Sequence, residues 1–153
     1  MLITLLEPVH ADFSRRLSQS LELHLIKSKA LNNSSTGLPS DDHTINEIIE
    51  DIHMQMSTSE ATGGFILSNY PQNAIQAQSL DMALARIGQP VSSALMMEST
   101  KTPQNRENKA LIRYYRSQNK LILLDETDNI SQICCKMRLI YRKRRSTYRQ
   151  NKR

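Results

Sequence analysis

At 153 residues the chain suits one domain with a real core, because a chain of about 150 residues buries about 70% of its unfolded surface. With 39% hydrophobic and 23% charged residues, four Gly, five Pro and two Cys, it is not collagen-like, a disulfide scaffold or a charge-dominated disordered chain. The net charge of +5 is uneven: Lys136–Arg153 holds nine Lys/Arg and no Asp/Glu, while the other 135 residues carry 11 basic and 15 acidic side chains.

Met1–Leu6 (MLITLL) is a short apolar run and reads as a buried strand. Phe13, Leu17 and Leu21 then recur every four residues, one face of a helix. Leu23–Lys27 fits a second short strand, and Asn32–Ser40 (NNSSTGLPS) a loop. Asp41 or Asp42 caps a helix that turns Ile45, Ile48, Ile49 and Ile52 inward. Ser57–Gly64 is a second loop, Gly64–Leu67 a third strand, and Pro71 stops it.

Ala74–Ile87 is helical by pattern, with Ile75, Leu80, Ala83, Leu84 and Ile87 as its apolar members, and Gly88-Gln89-Pro90 ends it. Val91–Met97 reads as a strand, Glu98–Asn108 as a loop, Lys109–Ser117 as a short helix and Leu121–Asp125 as a fifth strand. Asn129–Tyr141 completes the series as a helix, with Ile130, Ile133, Cys134, Met137 and Ile140 on one face. Alternating strands and helices imply an α/β fold, a parallel sheet with helices on both faces. Ligands of such folds bind beyond the carboxyl ends of the strands, here Glu7–Ser14, Ser68–Asn73 and the loop after Glu98.

Other chemistry is thin. His10, His24, His43 and His53 share no metal-ligand spacing, so no metal site is expected. Cys134 and Cys135 are adjacent, which suits neither a disulfide nor a metal pair and points to a reducing, cytoplasmic setting. The seven Met residues read as core fillers. No run reaches the ~20 apolar residues of a membrane span. The first ten residues lack the basic start of a signal peptide.

One segment carries a family pattern. Gly64–Leu80, GFILSNYPQNAIQAQSL, matches G-F-L/I-L-D-G-F/Y-P-R-T-x-x-Q-A-x-x-L at Gly64, Phe65, Ile66, Leu67, Tyr70, Pro71, Gln76, Ala77 and Leu80. In this it resembles the adenylate kinase family, one of the nucleoside monophosphate kinases. MLITLLEP is similar to the family's first strand, and GLPSDDHTINEII to its G-x-L-V-P-D-E turn and helix. KALIRYYR resembles P-L-I-x-Y-Y, and LLDETDNISQI the closing strand with D-G-T. The resemblance covers about the first 137 residues and leaves the basic tail outside it.

It implies a three-layer, P-loop-kinase-like fold with a five-stranded parallel sheet, and a family activity of Mg-dependent phosphoryl transfer from ATP to AMP. It also implies that Gln76 stands where the family's glutamine hydrogen-bonds the adenine of AMP. The departures fall on the catalytic parts. The family's G-x-P-G-A/S-G-K-G-S/T loop is replaced by Glu7, Pro8, Val9, His10, Ala11, Asp12, Phe13, Ser14 and Arg15, with no glycine to curl backbone N–H groups around phosphate. Phe13 takes the place of the phosphate-binding lysine, and Arg15 that of the Mg²⁺-holding hydroxyl. Ser68 and Gln72 replace the Asp near the metal-linked waters and the Arg of the monophosphate site, and Asn32 replaces another Arg of that site. The family's mobile lid is missing between the fourth strand and KALIRYY.

The expected organisation is an adenylate-kinase-like domain over 1–141 and a basic tail over 142–153. Its first functional reading is a family member that has lost catalysis, has no catalytic residues and serves as a binding or structural protein. A second keeps residual binding of an AMP-like nucleotide, or kinase activity through an unusual site, with ATP and Mg²⁺ needed only in that case. A third is an RNA-associated protein whose Arg142, Lys143, Arg144, Arg145, Arg149, Lys152 and Arg153 attract a polyanion, with Tyr141 and Tyr148 interleaved to stack on bases. A protein partner is not named by any motif.

Overall fold

The computed structural model describes residues 1–6, 11–27, 41–58, 63–98, 106–125 and 127–150. In chain order these form β1 (Leu2–Leu6), α1 (Ala11–Leu21), β2 (His24–Lys27), α2 (Asp41–Ser57), β3 (Phe65–Ser68), α3 (Ala74–Arg86), β4 (Val91–Glu98), α4 (Arg106–Ser117), β5 (Leu121–Asp125) and α5 (Ile130–Gln150). The loop expected at Asn32–Ser40, the replaced phosphate-loop residues Glu7–His10 and the tail residues Lys152 and Arg153 lie outside the described residues.

All strands pair in parallel, in the order β2-β3-β1-β4-β5. β1 is central and buried on both faces, so it is apolar throughout except for Thr4. Side chains alternate across it. Leu2 and Leu6 join a core with Ile45, Ile48 and Ile52 of α2, Leu80 and Leu84 of α3, and Leu111 and Tyr115 of α4. Ile3 and Leu5 join the opposite core, with Leu17 of α1 and Ile133, Cys134 and Met137 of α5. The result is three layers, with α2, α3 and α4 on one face and α1 and α5 on the other.

Several element boundaries differ from the sequence expectation by one residue, and helix ends differ most. α4 begins at Arg106, three residues early, because its first turn is polar and shows no apolar period. α2 runs on to Ser57. α5 runs past Tyr141 to Gln150, through Arg and Lys residues that favour helix as strongly as most apolar ones. The methionines also divide: Met96 and Met137 are buried, whereas Met54, Met56 and Met82 are exposed. Ile75, expected among the inward residues of α3, is 73% exposed, and Ala77 takes the inward place instead.

A polar tie crosses the first face. Asp81 of α3 accepts a hydrogen bond from the Tyr114 hydroxyl of α4 at 2.8 Å and pairs with Lys120, just before β5, at 3.7 Å. Burial, followed by the nearby Asp81 carboxylate, holds the Tyr114 hydroxyl pKa above its usual range. Tyr115 beside it is fully buried, and burial shifts its pKa upward further. Among the described residues no helix is long and apolar enough to cross a membrane.

Candidate functional site

The connections after β1 and β3 lead to helices on opposite faces, α1 below and α3 above, although the two strands are neighbours. This divergence opens a crevice at the carboxyl edge of the sheet, the general ligand position of open parallel sheets. Ser68 ends β3 there, in register with Leu5 of β1 and Lys27 of β2. It is buried. Asn69 follows at φ +67°, and the Tyr70–Pro71 peptide is cis. The Thr4 hydroxyl donates to the Tyr70 carbonyl at 2.6 Å, which pins this turn onto β1.

Asn69 stands where the family motif has glycine. Asn is one of the few residues with a side chain that enters the left-handed region readily, so the turn keeps its path. The substitution leaves the Asn69 Oδ1 atom buried and without a hydrogen-bond partner among the described residues. Replacing Asn69 by Gly removes both the left-handed strain and the unsatisfied oxygen. The expected result is a gain of about 1 kcal/mol, read as a higher midpoint in urea denaturation. A fall of that size would show that the carboxamide holds a partner of its own.

Gln76 lies one turn into α3. Asn73 caps the helix by accepting the Gln76 N–H at 2.9 Å. The Gln76 Oε1 in turn accepts the Gln72 N–H at 2.8 Å. The two bonds close the helix start in the manner of a capping box, with the return bond made one residue before the cap. The carboxamide oxygen expected to read a nucleobase is therefore engaged with its own helix start. Gln72, at the phosphate-site arginine position, is exposed.

The described half of the replaced phosphate loop is helix. α1 begins at Ala11, and Phe13 packs partly buried against the core between α1 and α5. Its ring rests partly buried on apolar side chains, at the position where the family's lysine reaches phosphate. Asp12 is exposed and pairs with Arg15 at 2.6 Å and with Arg16 at 3.9 Å. Both arginines thus lean on a carboxylate of their own helix, a pairing that contributes little stability at an exposed site. Ser14 is buried.

The other strand ends at this edge carry negative charge. Glu98 ends β4 and Asp125 ends β5, and both are exposed. Hydrogen bonds from the Thr127 backbone and hydroxyl hold the Asp125 carboxyl below the usual range. Asp128 is held low chiefly by its hydrogen bond from Lys136. Lys27 is the one cation among the last residues of the described strands, against these two carboxylates. Among the described residues no three His, Cys, Asp or Glu side chains gather in a metal-ligand cluster. Residues 99–105, where the lid would start, lie outside the described residues.

The structure also revises the role expected of Tyr141. The ring was expected to stack on bases, but it is partly buried against the α1–α5 core and its hydroxyl lies 3.1 Å from Ser93 Oγ of β4. That contact is not visible in sequence, because it joins residues 48 positions apart.

No family model matches the chain. It is 36% identical to the adenylate kinase of Prochlorococcus marinus (strain MIT 9211) over 52 residues, 34% of this chain and 28% of that enzyme. It is 38% identical to the adenylate kinase of Stenotrophomonas maltophilia (strain R551-3) over 47 residues, 31% of this chain and 25% of that enzyme. A longer alignment, 26% identical over 136 residues, relates it to the adenylate kinase of Oenococcus oeni (strain ATCC BAA-331 / PSU-1) across 73% of this chain and 71% of that enzyme. The first relatives are thus matched over about a quarter of their length. With a five-stranded parallel sheet between two helical layers, consistent with a P-loop-kinase-like fold, the chain resembles the adenylate kinase family in sequence and architecture.

Proposed function

We propose that this chain is an adenylate kinase-like protein that no longer transfers phosphoryl groups and acts in the cytoplasm as a binding or structural protein. The observation that supports this most is Phe13, at the lysine position of the phosphate loop, packed partly buried against the core that α1 and α5 form with the sheet. Phosphoryl transfer rests on positioning and on positive charge gathered around the moving group. At the described carboxyl edge no such cluster of free cations stands: Glu98 and Asp125 end their strands against Lys27, and Arg15 and Arg16 are paired with Asp12. The described residues do not fit ATP with Mg²⁺, since neither the lysine nor the metal-holding hydroxyl is present at Phe13 and Arg15.

The expected outcome is that purified protein, given ATP, AMP and Mg²⁺, forms no ADP above a blank in a chromatographic assay. ADP formation that disappears in a Gln76→Ala variant overturns the proposal. Calorimetric titration with AMP tests the second reading, a retained nucleobase contact at Gln76. The local use of its Oε1 by Gln72 argues against that reading.

A further inference from the structure

Positive charge that is paired or offset by carboxylates at the carboxyl edge stands unpaired at the opposite edge. Where β1 begins, a cavity of about 660 Å³ lies between the end of α1 and the middle of α5. Arg138, Tyr141 and Arg142 line one side, with Ser20, Glu22 and Ser92 across it. Arg138 and Arg142 are exposed, and among the described residues neither guanidinium has an ion-pair or hydrogen-bond partner. Glu22 is the only carboxylate among the lining residues.

α5 continues helically past this edge to Gln150, and helical spacing places positions 145 and 149 in one row with 138 and 142. All four are arginine. The row extends over about 16 Å at the helical rise, and no Asp or Glu occurs from Lys136 to the end. Four charges over that length suit a repeating phosphate chain better than the compact phosphate group of one nucleotide. A single strand, unlike a duplex, can also turn a nucleotide out toward a cavity of this size. Tyr141 is held by β4, so contact through this face is made to phosphate and is largely independent of sequence.

We infer that the arginine row of α5, with the cavity at its base, is a docking surface for the phosphate backbone of single-stranded RNA. This goes beyond the loss of turnover proposed above and does not depend on it. Arg138 and Arg142 anchor the strand beside the folded body, and the row carries it outward.

The test is fluorescence anisotropy of a labelled oligouridylate RNA with the full chain over a salt series. Four phosphate contacts predict a slope of log K against log salt of about −3, an approximately 50-fold loss of affinity between about 50 and 200 mM salt. Arg138→Gln with Arg142→Gln changes two exposed residues and should reduce the slope to about half. Arg15→Gln with Arg16→Gln removes the same charge at the carboxyl edge and should leave binding as it was. Equal losses in the two double variants would show diffuse charge attraction and overturn the assignment. So would binding indifferent to salt, or retention on phosphatidylserine vesicles with none on RNA. Circular dichroism of each variant separates loss of the surface from loss of the fold.

Discussion

Gly64→Ala should cost about 4 kcal/mol or more of folding stability, a large share of the roughly 5–15 kcal/mol available to a domain of this kind. Gly64 has φ +131°, a conformation that side chains rarely adopt. A Cβ built there lies 2.0 Å from the carbonyl oxygen of Met1. That oxygen cannot move aside without cost, because it accepts the Phe65 N–H at 2.8 Å and so starts the β1–β3 ladder. The Gly64 carbonyl in turn accepts the His24 N–H at 2.9 Å, which starts β2. One added methyl group therefore strikes the point where three strands enter the sheet. Gly88→Ala is the control: φ is +72° but nothing lies within 4 Å of its Cβ, so only about 1 kcal/mol of backbone strain is expected. Urea denaturation followed by circular dichroism compares the two. Similar midpoints for both variants would show that the β1–β3 start yields easily.

Phe13→Lys restores the family's residue and should restore no activity. The helix around it still presents Asp12 and Arg15. Ser68 and Gln72 still replace the groups that serve metal-linked waters and monophosphate. The change also removes an aromatic ring from the core shared by Leu17, Ile133 and Met137. Phe13 is only partly buried and a lysine can reach water along its stem, so the expected loss is about 1–2 kcal/mol. The chromatographic assay for ADP should remain at blank while the urea midpoint falls. ADP formation at a rate typical of kinases would show that the rest of the phosphate site had survived.

The fold was legible in the sequence because its signals were local. Central β1 is apolar on both faces, the strands alternate with helices that carry one apolar face, and Pro71 and the Gly88 turn punctuate them. Helix ends were less legible. Arg106–Asn108 and the stretch after Tyr141 are polar, and polar residues with good helix propensity look the same to a periodicity argument in a helix and in a loop. The candidate site was legible only as substitutions such as Phe13 for lysine, and the place of Asn69 at the motif's glycine gained meaning only with the turn's geometry. What those residues do instead depends on partners remote in sequence: the α1–α5 core for Phe13 and the packed turn around Asn69. The bond between Tyr141 and Ser93, and the meeting of Arg138 and Arg142 with the start of β1, were beyond a linear reading for the same reason.

The tie from Asp81 to Tyr114 and Lys120 has a consequence for how the molecule breathes. It joins α3 to α4 and to the approach to β5, across a face built on an apolar core. If α4 alone swings away, Asp81 loses its hydroxyl donor while Tyr115 loses its burial, so the two helices lower their opening cost by leaving together. Backbone amides of α3 and α4 then belong to one cooperative unit of hydrogen exchange. α1 and α5, on the other side of the sheet, have no share in that tie and open on their own terms.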